Sequence, residues 1–177
     1  MFDASTLPFE ENRRKTAEVT ARCHDAGVWV EAELGEVGGK DGVHAPGART
    51  DPAEAAAFVE ATGVDALAVA VGTSHAMAAR EAILDEARIT ELRAAIPVPL
   101  VLHGSSGVAD EGLQRAIRAG ITKVNIATHL NQVFTGSIRD RLGSSGASDP
   151  RTYLGPARDQ TAAEVARLLR LLRLVGS

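Results

Sequence analysis

Five short apolar runs of β type recur along the chain, at residues 2–4, 28–34, 66–71, 98–102 and 123–127, and helical periodicity follows them. The segments 12–26, 51–62, 85–95 and 110–119 return apolar residues at three and four positions and carry Asp or Pro near their starts. Alternating strand and helix predicts right-handed βαβ units and a parallel sheet. The runs begin near positions 2, 28, 66, 98 and 122, so each unit takes about 25 to 40 residues. A closed (β/α)₈ barrel typically needs about 250 residues. The pattern therefore leaves two architectures open: an open five-stranded α/β sheet, or the back part of a barrel without about three of its units.

Beyond the last run, helices are expected over 131–142 and 156–174, separated by a Gly/Ser-rich loop at 143–150. The final helix carries paired leucines from Leu168 to Leu172, interrupted by Arg167, Arg170 and Arg173, which reads as a core-packing or oligomer-facing stripe. Residues 35–49 hold five glycines and form the one long irregular stretch before the tail, the pattern of a lid, a binding loop or a disordered segment.

Composition narrows the classes. The chain has 177 residues, of which 45% are hydrophobic and only 3% aromatic, so Ala, Val, Leu and Ile must fill the core. With 19 Lys+Arg against 23 Asp+Glu the net charge is −4, and no basic patch is available to neutralise a phosphate backbone; nucleic-acid binding is not expected. Cys23 is the only cysteine, which excludes a disulfide framework and a thiolate metal cluster and reads as a buried helix residue in a reducing compartment. No stretch approaches the roughly 20 apolar residues that span a bilayer, and Met1-Phe2-Asp3 does not begin a leader, so a cytoplasmic location without membrane contact is expected.

In a parallel α/β sheet, functional groups collect at the carboxyl ends of strands. Asp3 and Ser5 follow the first run, Glu31 and Glu33 lie in the second, and Gly72-Thr73-Ser74-His75 follows the third. His103-Gly104-Ser105-Ser106-Gly107 follows the fourth, and Asn125 and Thr128 close the fifth. His75 and His103 with a carboxylate suit a Zn²⁺ site; the other reading is two loop histidines bonded to backbone. The 103–107 segment offers small residues and amide N–H groups that could cradle phosphate, or simply make a tight turn. Glu31 and Glu33 share one strand face with Ala32 opposite; burying both without a metal or base is costly, so one of them is expected at a solvated strand end. His24 and His44 read as surface residues.

Several ordered segments carry a family resemblance. Phe2-Asp3-Ala4-Ser5-Thr6-Leu7-Pro8-Phe9 with Glu11-Asn12, Val30-Glu31-Ala32-Glu33-Leu34-Gly35 with Gly38-Gly39, and Ala70-Val71-Gly72-Thr73-Ser74-His75 are three of them. Leu100-Val101-Leu102-His103-Gly104-Ser105-Ser106-Gly107, Lys123-Val124-Asn125-Ile126-Ala127-Thr128 and Asp149-Pro150-Arg151 with Tyr153-Leu154 complete the set. Together they resemble the signature segments of class II, metal-dependent ketose-bisphosphate aldolases, nearer the tagatose-bisphosphate type than the long fructose-bisphosphate type. The resemblance covers essentially the whole chain and implies the (β/α)₈ TIM-barrel fold, here as strands 4–8 only with a C-terminal helix. The chain would then be a single incomplete domain over 1–177, with the βα units in 1–142 and the last helix in 150–175.

The same resemblance implies that His75 and His103 ligate Zn²⁺ and that Glu33 binds the metal in an alternative position or supports the site. A monovalent cation is a further implied cofactor. Gly104, Ser106, Asn125 and Thr128 would hold the phosphate and hydroxyls of dihydroxyacetone phosphate, and Asp3 and Ser5 would line the same cavity. The implied reaction is cleavage of tagatose or fructose 1,6-bisphosphate to dihydroxyacetone phosphate and glyceraldehyde 3-phosphate by a cytoplasmic homo-oligomer of carbohydrate metabolism, such as glycolysis.

The chain also departs from the family pattern. The family's proton-transfer aspartate and first zinc histidine sit in a His-x-Asp-His-like segment that these residues do not contain, so no catalytic residue is assigned here and the N-terminal third is expected to be missing. Ala76 stands where the family usually has Gly, His129 where it usually has Asp or Glu, and the loop after Gly39 looks shorter. Two functions remain open: an aldolase whose recorded sequence begins late, and a non-catalytic sugar-phosphate- or metal-binding remnant or partner subunit. A five-stranded piece leaves a sheet edge and an apolar inner face uncovered, so the isolated chain is expected to be oligomeric or poorly soluble in size-exclusion chromatography. A monomer with one sharp cooperative unfolding transition would refute that expectation.

Overall fold

Four of the five apolar runs pair into one parallel sheet of β1 (Glu31–Leu34), β2 (Ala66–Val69), β3 (Leu100–Leu102) and β4 (Ile121–Val124), in the order β1-β2-β3-β4. The computed structural model describes residues 1–35, 49–73, 82–146 and 148–173, which fall into two units, Met1–Asn125 and Ile126–Ser177. The predicted loop at 35–49 therefore lies, but for Gly35 and Arg49, outside the described residues, as do His44, Ser74, His75 and Ala76.

Parallel neighbours in sequential order need a crossover after each strand. In the first unit α2 (Pro52–Thr62), α3 (Glu86–Ala95) and α4 (Asp110–Ala119) supply them, and α1 (Phe9–Asp25) precedes β1. Right-handed crossovers place these helices on one face of the sheet, where α1 packs on α2, α2 on α3 and α3 on α4. Their starts are set by side chains. Asp51 accepts the N–H groups of Ala53 and Glu54 at 2.9 and 3.1 Å, with Pro52 in the first turn, and Asp85 accepts that of Arg88 at 3.0 Å. Gly63, at φ +65°, closes α2 in the left-handed conformation that glycine adopts without strain. Apart from Glu33, the largest fully buried side chains are Leu, Ile and Val, with Phe58 the one aromatic among them; each of these apolar side chains contributes about 1.5–3 kcal/mol by burial.

The first run, at 2–4, does not become a strand. Phe2 makes a single parallel bridge to Ala32, its N–H donating to Glu31 O at 2.8 Å, and the chain then turns because Asp3 Oδ1 accepts the Ser5 N–H at 3.0 Å. The run at 28–34 is likewise shorter in the sheet than in the sequence. Val28 N–H still bonds Cys23 O to close α1, and Val30 N–H goes to the Asp65 carboxylate at 2.7 Å. That carboxylate also meets His24 Nε2 at 2.9 Å, so His24 is exposed, as expected, but ties the end of α1 to the start of β2. Cys23 is a free cysteine on α1, half-buried rather than buried. β4 begins two residues before the predicted run and ends at Val124, because the Asn125 backbone turns toward β3 and its loop. Among the described residues β4 is the terminal strand, with Thr122 and Lys123 exposed.

The second unit is a pair of helices, α5 (Thr128–Ser145) and α6 (Arg151–Leu172), packed on each other. α6 starts five residues before the expected Pro156. The Asp149 carboxylate accepts the Arg151 N–H at 3.0 Å, and a proline within the first turns removes only one donor. His129 on α5 meets Glu164 of α6 at 2.7 Å, and Arg167 donates to the same carboxylate at 2.8 Å. None of the described helices is long and apolar enough to cross a membrane.

The Arg167 guanidinium, joined by His129 and opposed by partial burial, holds the Glu164 carboxyl at about 2 instead of its ordinary 4.5. A carboxyl depressed by folding adds stability that is complete above its unfolded value and is lost as pH falls through the folded one. Glu164→Gln is therefore expected to cost about 1 kcal/mol in urea unfolding at pH 7, and the gap to wild type is expected to shrink between pH 4.5 and 2. A gap independent of pH over that range would contradict this assignment.

Candidate active site

The concave face of the sheet in the first unit gathers a chain of polar groups from β1, β3 and β4. Alternation along β1 turns Glu31 and Glu33 to one face and buries Ala32 on the other. His103 follows the last residue of β3 and stands between them: its Nδ1 lies 2.8 Å from Glu33 Oε2 and its Nε2 3.0 Å from Glu31 Oε1. Side-chain exposure is 4% for His103, 2% for Glu33 and 11% for Glu31, so the expectation that one glutamate ends in solvent is corrected. Both carboxylates escape the cost of burial by sharing one imidazole as a base.

Glu31 is used twice. Its Oε2 accepts from Lys123 Nζ at 2.6 Å, and the same Nζ donates to Asn125 Oδ1 at 2.7 Å. Glu31 and Lys123 sit on the first and last strands of the sheet, about 14 Å apart if the sheet were flat, at roughly 4.8 Å per strand. Side chains stand off a sheet rather than along it, so their meeting marks the inward curve of a barrel wall.

The remaining contacts hold these side chains in place. Thr73, after β2, donates to the His103 carbonyl at 2.7 Å, and Ser105 donates to the Asn125 carbonyl at 2.6 Å. Ser5 donates to Asp3 Oδ1 at 2.7 Å and reaches Glu33 Oε1 at 3.3 Å. From α1, Asn12 donates to the Glu33 carbonyl at 3.2 Å and accepts from Thr16 at 2.9 Å. Gly104 takes φ +65° at the start of a 3₁₀ turn, Ser105–Gly107, which contains Ser106. Gly72 takes φ +117°, and a Cβ there would fall 2.5 Å from the Ile83 carbonyl, so only glycine fits behind the site.

Burial opposes the charged form of His103, but the two glutamates outweigh it and raise its pKa above 6.5. Burial likewise pushes the Glu31 carboxyl up, while Lys123 and His103 outweigh it and hold the group below 4.5. With a carboxylate facing each ring nitrogen, both nitrogens donate.

Of the sequence-predicted site residues, the structure brings together Asp3, Ser5, Glu33, His103 and Asn125, with Gly104 and Ser106 in the adjoining turn. Thr128 is the first residue of α5 in the second unit, and His75 lies outside the described residues. In the sequence, Thr73 and Ser105 stand out only as members of strand-end segments, and Asn12 and Lys123 only as members of the segments that carry the resemblance. Lys123 had a usable signal, since it lies two positions before Asn125 and so shares its strand face.

A curved parallel sheet with helices on one face and this cluster on the other fits part of a β/α barrel. The family model of class-II fructose-bisphosphate aldolases matches residues 1–177, and the chain belongs to that family. It is similar to the YdjI aldolase of Escherichia coli K12, with 35% identity over 97% of this chain and 58% of that one, and a TM-score of 0.80. It is also similar to a putative fructose-1,6-bisphosphate aldolase of Coccidioides immitis, with 31% identity over 99% and 63% and a TM-score of 0.82. The fructose-bisphosphate aldolase of Campylobacter jejuni, at 22% identity over 97% and 58% with a TM-score of 0.78, shares the fold. The chain thus spans less than two thirds of the length of each of these structures.

The family is metal-dependent as a class. Among the described residues, no set of three His, Cys, Asp or Glu side chains is placed to hold an ion. His103 would suit one ligand position only once Nε2 gives up its proton and its contact with Glu31; Nδ1 on the buried Glu33 carboxylate is how proteins orient metal-bound histidines.

Removing His103 leaves Glu33 buried without its base. His103→Leu is expected to cost about 3 kcal/mol in urea unfolding. In chelator-treated protein the raised His103 pKa adds stability that is complete below 6.5 and lost as pH rises through the folded value, while the lowered Glu31 pKa adds stability complete above 4.5. The gap between wild type and His103→Gln should therefore be widest between pH 4.5 and 6.5 and narrow above it; a gap that grows with pH would contradict the arrangement.

Proposed function

We propose that this chain forms the metal- and dihydroxyacetone-phosphate-binding part of a class II, zinc-dependent aldolase that cleaves tagatose or fructose 1,6-bisphosphate to dihydroxyacetone phosphate and glyceraldehyde 3-phosphate. The observation that carries the reading is His103, buried between Glu31 and Glu33 and linked through Glu31 and Lys123 to Asn125, in a chain of this family. His103 and His75 hold the zinc, and Glu33 orients the His103 ring. When bound, Zn²⁺ supplies Lewis-acid polarisation of the ketone carbonyl. Backbone N–H groups of the Gly104–Gly107 turn, with Ser106, receive the phosphate. The Asn125 amide donates to a substrate oxygen, while Asp3 and Ser5 line the cavity and position Glu33.

The proton-transfer aspartate of the family has no counterpart among these 177 residues, which supports a division of labour: these residues bind, and turnover needs a group they do not supply. The reading includes a cytoplasmic homo-oligomer of carbohydrate metabolism.

Calorimetric titration of the 177-residue protein tests it. Zinc is expected to bind, His103→Ala to weaken it by about 100-fold or more, and dihydroxyacetone phosphate to bind more tightly with zinc present. A coupled assay is expected to find no cleavage by this chain alone. Failure to bind zinc with His103 intact would overturn the metal site, and cleavage by the isolated chain would overturn the division of labour.

A further inference from the structure

We infer that Lys123 is a positioning residue, which fixes the Asn125 side-chain amide with its two N–H donors free for a ligand while tying β4 to β1 through Glu31. The inference rests on the reading of Asn125 as a ligand-holding residue and adds what makes it competent.

Asn125 has four kinds of polar group, and three of them are committed. Its backbone N–H donates to Leu102 O at 3.0 Å, its backbone carbonyl accepts from Ser105 Oγ at 2.6 Å, and its side-chain Oδ1 accepts from Lys123 Nζ at 2.7 Å. An ammonium group has donors only, so the atom facing it must be the amide oxygen, and the orientation of the amide follows. Nδ2 is then the one polar group of Asn125 without a partner among the described residues, and it carries two donors.

Chemistry selects this orientation for an oxygen-rich, anionic ligand, which needs donors and is repelled by a carbonyl oxygen. Without Lys123 the amide could rotate by half a turn and present Oδ1 instead. Lys123 is itself held by Glu31 at 2.6 Å, and Glu31 by His103, so the amide is keyed to the histidine through an unbroken chain of charged contacts. The two contacts also discharge Lys123: Glu31 neutralises it, which makes it a poor direct partner for phosphate and a good strut.

The test uses the full chain and two readouts. In ligand-free protein, the Asn125 side-chain NH₂ resonances, assigned by their loss in Asn125→Ala, should be well dispersed in wild type and move toward free-amide values in Lys123→Met. Dihydroxyacetone phosphate is then titrated into wild type, K123M, N125A and the double variant. Each single change should weaken binding about tenfold, and the double variant should bind no worse than N125A within about twofold, because both changes break one unit. Lys123→Arg, which keeps charge and donors, should stay within about threefold of wild type and preserve the dispersed resonances.

Wild-type affinity in K123M, or losses that multiply to about a hundredfold in the double variant, would overturn the inference, the latter by showing that Lys123 touches the ligand itself. If K123M does not fold, K123R decides: Asn125 resonances at free-amide values in a folded K123R would overturn it. Equal affinity of wild type and N125A would instead sink the role of Asn125 in the underlying reading, while the resonances still report whether Lys123 sets the amide.

Discussion

One buried imidazole constrains the first unit. His103 leaves β3 with its carbonyl held by Thr73 and both ring nitrogens on β1 carboxylates, so β1, β2 and β3 are fixed in register at their functional ends by a single residue. Lys123 carries the link onward to β4. Such buried charge pairs add little net stability against an apolar core of equal volume, yet removing one member leaves a stranded charge. The cluster therefore acts less as glue than as a device that admits only one relative placement of the strands. Its support comes from an unusual side of α1, whose buried face carries Asn12, Thr16 and Thr20 where leucines would be expected. Asn12 reaches the Glu33 carbonyl from that face, so a polar helix stripe serves the position of one glutamate.

Local signals in the sequence were read well, and long-range ones were not. Asp51, Pro52 and Asp85 announce helix starts because a cap needs only neighbours within four residues. Period-two alternation placed Glu31 and Glu33 on one face, and a histidine at the end of the fourth run was a visible candidate. What alternation cannot report is how far a sheet curves. Glu31 meets residues 72 and 92 positions away, and only the curve of the wall makes those meetings possible. The two glutamates therefore looked too costly to bury together, and nothing local tied Lys123 to either of them. The first run failed as a strand for a local reason of the opposite kind: the Asp3 side chain competes for the Ser5 amide and turns the chain after one bridge.

The family likeness extends over the whole chain, while the chain spans 58–63% of the length of the solved structures most useful for comparison. Under the proposed reading, the groups that hold a ligand and the group that moves its proton then lie in different parts of the family's barrel. Binding tolerates that separation, because hydrogen bonds and charge act at each contact. Proton transfer does not, since its advantage depends on a carboxylate held within hydrogen-bond reach of the reacting carbon–oxygen framework. Hydrogen bonds run unbroken from Asp3 through Ser5, Glu33, His103, Glu31 and Lys123 to Asn125, so the side chains hold one another in place without a ligand. Under the proposed reading, a binding wall and a proton-transfer group from another part of the family's barrel are compatible for that reason, because the contacts that shape the wall are internal to the first unit.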